Sequence, residues 1–337
     1  MATLTNAGIY YESAQSQQPF AAMSADDART VFSLAAKPWS NAPGYEYVVA
    51  PYGLMTGGAI TPGAVAGNVA VAAATAMMPG ATGANATTGV LSVTAESALT
   101  ITLNTDDTKP YRIDSVIVTS SGAYDLIEGT VGAAFSETRG AAGGPPYIAD
   151  GAIEVGQVRR NFSHADTNRA VTTAEIYQVV GVSQERYDYP VYAVNAIRGQ
   201  ITFADALPEI HTGDIPKRVY ARVATPVFAE IPRAKDWVPA ETSNSVNSEQ
   251  YYDGTLGSFS SSLGQASFTV SLNDGITDAL LAKKGNELLF KFMPDKNRTP
   301  YQITQGILGV ARTYAVGAHP AASVTVSASQ ASVDFAS

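Results

Sequence analysis

The chain contains no cysteine, three histidines and two tryptophans in 337 residues, and only 15% of its residues are charged. Without cysteine there is no disulfide framework, thiolate zinc site, iron–sulfur cluster or thiol nucleophile. The fold must be held by burial, hydrogen bonding or assembly. So low a charge, against about 25% in ordinary soluble domains, excludes a coiled coil and a charged, core-poor disordered chain. Basic residues are the scarcer sign, 21 against 30 acidic, for a net charge of -9. That argues against a general nucleic-acid binder, which needs a basic face to release phosphate counterions. Residues 1–215 carry 10 basic and 20 acidic side chains, whereas residues 216–337 carry 11 and 10.

Long hydrophobic runs are missing too. The most apolar stretch, Ala64 to Met78, is alanine-rich and broken by Gly67 and Asn68. It is too short and too weakly hydrophobic to span a bilayer. The first twenty residues show neither a basic n-region nor an apolar h-region, so no targeting segment and no membrane partner are expected. The chain is expected to be made in a cytoplasm and to stay soluble there unless it assembles.

What is present is a β-rich texture: Val, Thr, Tyr and Ala in short runs, punctuated by 29 glycines and 18 prolines. The length suggests two domains. Residues 1–44 read as an N-terminal arm, without period 2 or 3.6, followed by a short helix. That helix starts at the Ser24-Ala-Asp-Asp27 capping pattern and stops at Pro38. Residues 45–215 read as a β-rich accessory domain of short strands, including a hairpin of Tyr111–Val118 and Tyr124–Glu128 about Ser121-Gly122. The boundary is expected near Gly213-Asp-Ile-Pro216. Beyond it, Arg218 to Ile231 reads as one long strand that Pro226 confines to an edge or a bulge. Residues 232–264 form a long polar excursion. A strand, a helix from Asn273-Asp274 to Gly285 and three more strands follow. The fold class is mainly β: a sandwich- or barrel-forming domain over 216–337 with one short helix, and a second sandwich-like domain.

Chemistry is sparse. His164, His211 and His319 lie far apart in sequence, and His164 sits in a polar loop. No HExxH, P-loop, GxSxG or EF-hand pattern occurs. Asp26-Asp27 and Asp106-Asp107 are adjacent in a helix start and a turn, not set across a cleft as paired catalytic carboxylates require. No catalytic, cofactor-binding or metal residue is assigned, and an enzyme is not expected. Trp237, with Tyr251 and Tyr252 in the same excursion, fits a subunit interface, packing within the domain, or a sugar platform. A structureless stretch of about 30 residues is unusual in a compact domain. Its length suits an extended hairpin that reaches beyond its own domain.

The C-terminal third resembles a bacteriophage tail tube protein. The resemblance rests on TPVFAEIPRAKDWVPA, the polar excursion, and SFTVSLNDGITDALLAKKGNELLFKFMPDKNRTPYQITQGILGVARTYAVGAHPAASVTVSASQASVDF. It covers roughly residues 216–337 and lies in order and texture, not in a diagnostic motif. The middle region, YRIDSVIVTSSGAYDLIEGT through AIEVGQV, more weakly resembles β-rich modules attached to phage tail and baseplate proteins. The resemblance suggests a flagellum-seeking, Chi-like phage with a non-contractile tail, though no single residue carries that part of it.

The resemblance implies a structural virion protein of the tail, assembled in the host bacterial cytoplasm. Its subunits would form hexameric rings, stacked into a tube that conducts double-stranded DNA without binding it specifically. It would have no cofactor, and its partners would be further copies and the tape-measure, tail terminator and baseplate proteins. Tyr10, Tyr11, Phe20, Trp237, Val238, Tyr251 and Tyr252 are the candidate inter-subunit contacts. Family lumens tend to be acidic, and Glu230, Asp236, Asp278, Glu287 and Asp295 are the candidate lumen charges. The alternative is a receptor-binding or decoration protein of the tail or baseplate, using the middle domain.

Overall fold

The computed structural model describes residues 6–80, 84–162, 169–178, 191–207, 218–251 and 254–336. His164, His211, Tyr252 and the expected boundary at 213–216 lie outside the described residues. The chain is mainly β, built of antiparallel sheets, and its one α-helix among the described residues is the five-residue Ala84–Thr88. No helix is long and apolar enough to cross a membrane among the described residues.

The largest sheet runs in the order Ala224–Glu230, Gly8–Gln17, Glu287–Met293, Tyr301–Thr313, Ala321–Ala328, Ala266–Ser271, Ala234–Val238. Val333–Phe335 adds to one end of Tyr301–Thr313. The two outermost strands, Ala224–Glu230 and Ala234–Val238, are consecutive in the chain and separated by residues 231–233 only. A three-residue link can join opposite edges of a seven-strand path only if the sheet is rolled on itself. The rolled interior holds Ile9, Tyr11, Phe268, Val270, Leu288, Phe290, Leu308, Val324 and Val326, with Leu280 from a connecting loop. Pro226 stands on the edge strand, where its missing N–H leaves no gap in a ladder.

This topology corrects the N-terminal arm. Gly8–Gln17 is an interior strand, paired to Ala224–Glu230 on one side and to Glu287–Met293 on the other. The alternation that would reveal it is short, Ile9 and Tyr11 inward, and a register shift between Glu12 and Ala14 then breaks it. Glu12 itself is 1% exposed. Its carboxylate accepts from Ser40 Oγ, from Gln15 Nε2 at 2.7 Å and from the Leu289 amide at 3.2 Å.

The domain boundaries change accordingly. Gln17 pairs with Ala224, and the next amide, Gln18, donates to Val223 O at 2.8 Å. The chain therefore leaves the rolled sheet at Gln17 and re-enters at Ala224, which makes residues 18–223 an insert. The expected long strand 218–231 is two strands in different sheets. Val219–Arg222 pairs with Ala21–Ala22 and Val48–Pro51, and Ala224–Glu230 belongs to the rolled sheet. Within the insert, one cluster gathers Phe32, Trp39, Ile201, Phe203, Val219 and Val223. A second gathers Phe20, Ile60, Val69, Ile101, Val116, Ile153 and Val158. The hairpin of Tyr111–Val118 and Tyr124–Ile127 is present, turning at Gly122 with φ +82°.

Both expected helices are absent for one reason. At Ser24, two short strands, Ser24–Ala25 and Val31–Ser33, pair across a turn. Asp26 Oδ1 accepts the amides of Thr30 and Val31 there. After Asn273, Asp274 accepts the amides of Ile276 and Thr277, while Asp278 accepts those of Asn273 and Gly275. Only a single 3-10 turn, Leu281–Lys283, follows. In both places aspartate captures local amides in a turn that a helix would otherwise use. Gly275, at φ +72°, fixes the second.

Replacing Glu12 by alanine leaves Ser40, Gln15 and the Leu289 amide short of an acceptor. A loss of about 1–3 kcal/mol in chemical denaturation is expected. A residue in a mobile arm would change stability by no more than about 0.5 kcal/mol.

Candidate assembly surface

The polar excursion resolves into two parts. Ala234–Val238 is an edge strand of the rolled sheet. Thr242–Tyr251 and Gly254–Leu263 form a ribbon with ten consecutive cross-strand pairs and no bulge. At roughly 3.3 Å per residue the ribbon is about 30 Å long. It is a sheet of two strands only, and every side chain described in it is exposed. Isolated two-stranded hairpins are marginally stable in water.

The ribbon's two faces differ. Opposed residues share a face, so Ser243 with Ser262 and Ser245 with Ser260 lie on one side. Their hydroxyls hydrogen-bond at 2.9 and 2.6 Å. The other side carries Val246 opposite Phe259, and Thr242 opposite Leu263. Val246 is 72% and Phe259 69% exposed. Val246, Phe259 and Leu263 share their face with Asn244, Ser248 and Ser261, so they form a small apolar cluster on a polar ribbon, of a size that a partner can cover.

Several candidate contact residues instead serve their own chain. Trp237 stacks on Phe292 at 5.8 Å and donates its indole N–H to Gln302 Oε1 at 3.0 Å. The irregularity between Lys235 and Val238, with Asp236 at φ +59°, accompanies its placement against the core. Tyr11 is in the rolled core and Phe20 in the insert's core, at 7% and 5% exposure. Buried side chains cannot anchor a neighbour, so Tyr11 and Phe20 are corrected to packing residues, while the half-buried Trp237 packs on its own core. Tyr10 is half-buried, and Val238 stays exposed at the ribbon's root. Tyr251 closes the ribbon's last pair through its backbone.

The candidate lumen charges do not form an array. Glu230 is paired with Lys296, Glu287 accepts from Asn41 and Gln305, and Asp295 accepts from Asn6 and the Asn297 amide. Asp278 holds its loop, as above. Glu230 and Glu287 share the outward face with Tyr10 and Ile307, and Asp236 reaches it by accepting from Thr269 Oγ1 at 3.0 Å. That surface is divided. One half is covered by the insert, where Ile197 packs with Leu289 and Ile303. The other half is bare: Ile307, Ala311, Thr313, Ala321, Ser323 and Ser327 are exposed along two adjacent strands, with the Lys235–Asp236 pair at its edge.

At the end of Ala266–Ser271 away from the ribbon, the loop 273–285 closes the rolled interior. Between it and Tyr301–Thr313 lies an open cavity of about 330 Å³, lined by Ile276, Thr277, Asp278, Leu281, Ala282, Lys284, Val310 and Arg312. Arg312 and Tyr314 both donate to Gly275 O, at 2.6 and 2.8 Å. Ile276, Tyr314 and Val316 are exposed around this end.

Elsewhere, the charged groups are structural. Arg112 pairs with Asp114 and Arg139 with Glu154 inside the insert. Burial pushes both carboxyls up, and the paired arginines oppose the shift. Asp106 is held low by the Thr108 hydroxyl and amide in its turn. No group of three His, Cys, Asp or Glu that could hold a metal occurs among the described residues. Neither a protein-family model nor a curated protein sequence matches the chain.

The loop at the cavity carries its own pH signature. The Thr277 hydroxyl and the Ile276 and Thr277 amides hold Asp274 at about 2, below its ordinary 3.8. A depressed carboxylate contributes fully above its unfolded value and loses that contribution as pH falls through the folded one. Hydrogen-exchange protection of the Ile276 and Thr277 amides is therefore expected above pH 3.8 and is lost toward pH 2. Protection unchanged down to pH 2 would mean that Asp274 does not hold the loop.

Proposed function

We propose that the chain is a structural subunit of a bacteriophage tail tube, acting by self-assembly into stacked hexameric rings that conduct double-stranded DNA. The observation that carries the reading is the ribbon 242–263. It projects from a rolled antiparallel sheet, it carries an exposed apolar cluster of Val246, Phe259 and Leu263, and none of its described side chains is buried. A monomer gains nothing from such an element, and a repeating assembly covers it. The rolled sheet supplies the ring unit, with edge strands that neighbouring copies can complete.

The insert 18–223 sits against one half of the sheet's outward surface and would face the outside of the tube. The bare half, rich in Ser, Thr and Ala, would face the channel. Such a lumen would be rich in hydroxyls and low in charge. On that face the exposed Lys235 is paired with Asp236, so passing DNA would meet little net positive charge. The tape-measure, terminator and baseplate proteins are the further partners that this reading entails.

The test is a cut confined to the ribbon. Residues 242–263 are replaced by a short Gly-Ser turn, sparing Ala234–Val238, whose Trp237 is part of the core. The expected product unfolds at the same denaturant midpoint as the full chain and sediments as a monomer where the full chain forms large particles. Particles of unchanged size from the cut protein would contradict the reading.

A further inference from the structure

Inside the insert, Arg160 is a buried cation that its own chain leaves incompletely matched. It stands on strand Ile153–Asn161 and is 1% exposed. Its Nη2 donates to Arg169 O at 3.1 Å, while Nε and Nη1 meet no hydrogen-bond acceptor among the described residues. Buried donors of a charged group left unmet are costly. The register adds a second cost. Arg160 lies directly opposite Arg112 on Tyr111–Val118, so both side chains share one face of the sheet. Their guanidinium carbons sit 5.1 and 4.8 Å from the centre of the Phe162 ring. Like charges at opposed strand positions destabilise the pair. The carboxylates nearby are already committed. Asp114 takes Arg112 at 2.7 Å and the Gly129 amide at 3.0 Å. Glu175 accepts from Arg169 with both oxygens and also from the Thr172 amide and hydroxyl. Its nearer oxygen stands 3.9 Å from Arg160 Nε. Burial, with the neighbouring Arg169, pushes the Arg160 guanidinium below its ordinary value. That is the direction for a buried cation without a close counter-charge.

We infer that Arg160 binds a small inorganic anion of the halide class, which in ordinary solution is chloride. The open atoms are all donors, so the occupant must accept. A water molecule accepts hydrogen bonds but brings no charge to the arginine pair, and an uncompensated buried charge is strongly destabilising. The site is closed as well, with Arg112, Arg160 and Phe162 at 3%, 1% and 5% exposure. Such closure suits a single-atom ion and not an organic ligand. Bound there, the ion offsets the repulsion between the two strands that form the centre of the insert's four-stranded sheet. The folded insert then gains stability as chloride rises, whereas surface ion pairs weaken as salt screens them. The inference concerns the insert alone and stands apart from the assembly reading.

Two measurements on the full-length chain test this. Crystals soaked in bromide are expected to show an anomalous peak within hydrogen-bonding reach of Arg160 Nε or Nη1. In solution, the protein broadens the chloride NMR line, and Arg160→Met loses that broadening. Arg159→Met serves as the control. Arg159 is the next residue, points to the opposite face and is paired with Glu137 at 2.6 Å. Its variant keeps the broadening. Bromide found only on the surface, or equal broadening in all three proteins, means that water fills the position and overturns the inference. Should Arg160→Met fail to fold, the bromide peak in the unaltered chain decides by its presence or absence.

Discussion

The first strand of the chain is held between strands more than two hundred residues away in sequence. Gly8–Gln17 joins Ala224–Glu230 to Glu287–Met293, and without it the rolled sheet would be two pieces. The buried Glu12 fixes this strand in three directions at once: to its own chain at Gln15, to the insert at Ser40 and to the neighbouring strand at Leu289. From that closure follows the rest of the architecture. The chain must leave the sheet at Gln17 and return at Ala224, so everything between them is an insert on one side. The remaining strands are free to present the ribbon, the loop cavity and the bare outward face.

The β class and much of its texture are legible in the sequence. Short Val/Thr/Tyr runs set off by glycine and proline mark most strands, and Pro226 correctly marks an edge. The excursion is legible as an extended hairpin because it lacks a core-forming run. What escaped has definite physical causes. The N-terminal strand hides behind a register shift that breaks its alternation after Tyr11, and its partners are too distant for local pattern to reveal. The helices expected after Ser24 and Asn273 fail because Asp26, Asp274 and Asp278 bind nearby amides in turns. A capping aspartate and a turn aspartate look alike in sequence. The domain boundary was misplaced because Arg222 and Ala224 belong to different sheets across a single residue, Val223.

The site was less legible than the fold. Aromatic residues attract attention as interface anchors, but Tyr11, Phe20 and Trp237 all pack within the chain. Phe259 and Val246, which are exposed, sit among serines and asparagines and drew none. Their signal was a lone apolar pair at opposed positions of a polar hairpin, visible only once the register is known. The candidate lumen charges are mostly engaged within the chain: Glu230 pairs with Lys296, and Asp278 and Asp295 accept loop amides.

Taken together, a rolled sheet with two free edge strands, an insert on one side and a projecting ribbon are the surfaces that the proposed repeating unit would complete with copies of itself. The most direct measurement is electron microscopy of the concentrated full-length protein in negative stain. Stacked rings with six-fold symmetry, an open central channel and the insert on the outside are the predicted result. Monomers, or discrete three-fold particles that never stack, would contradict the account.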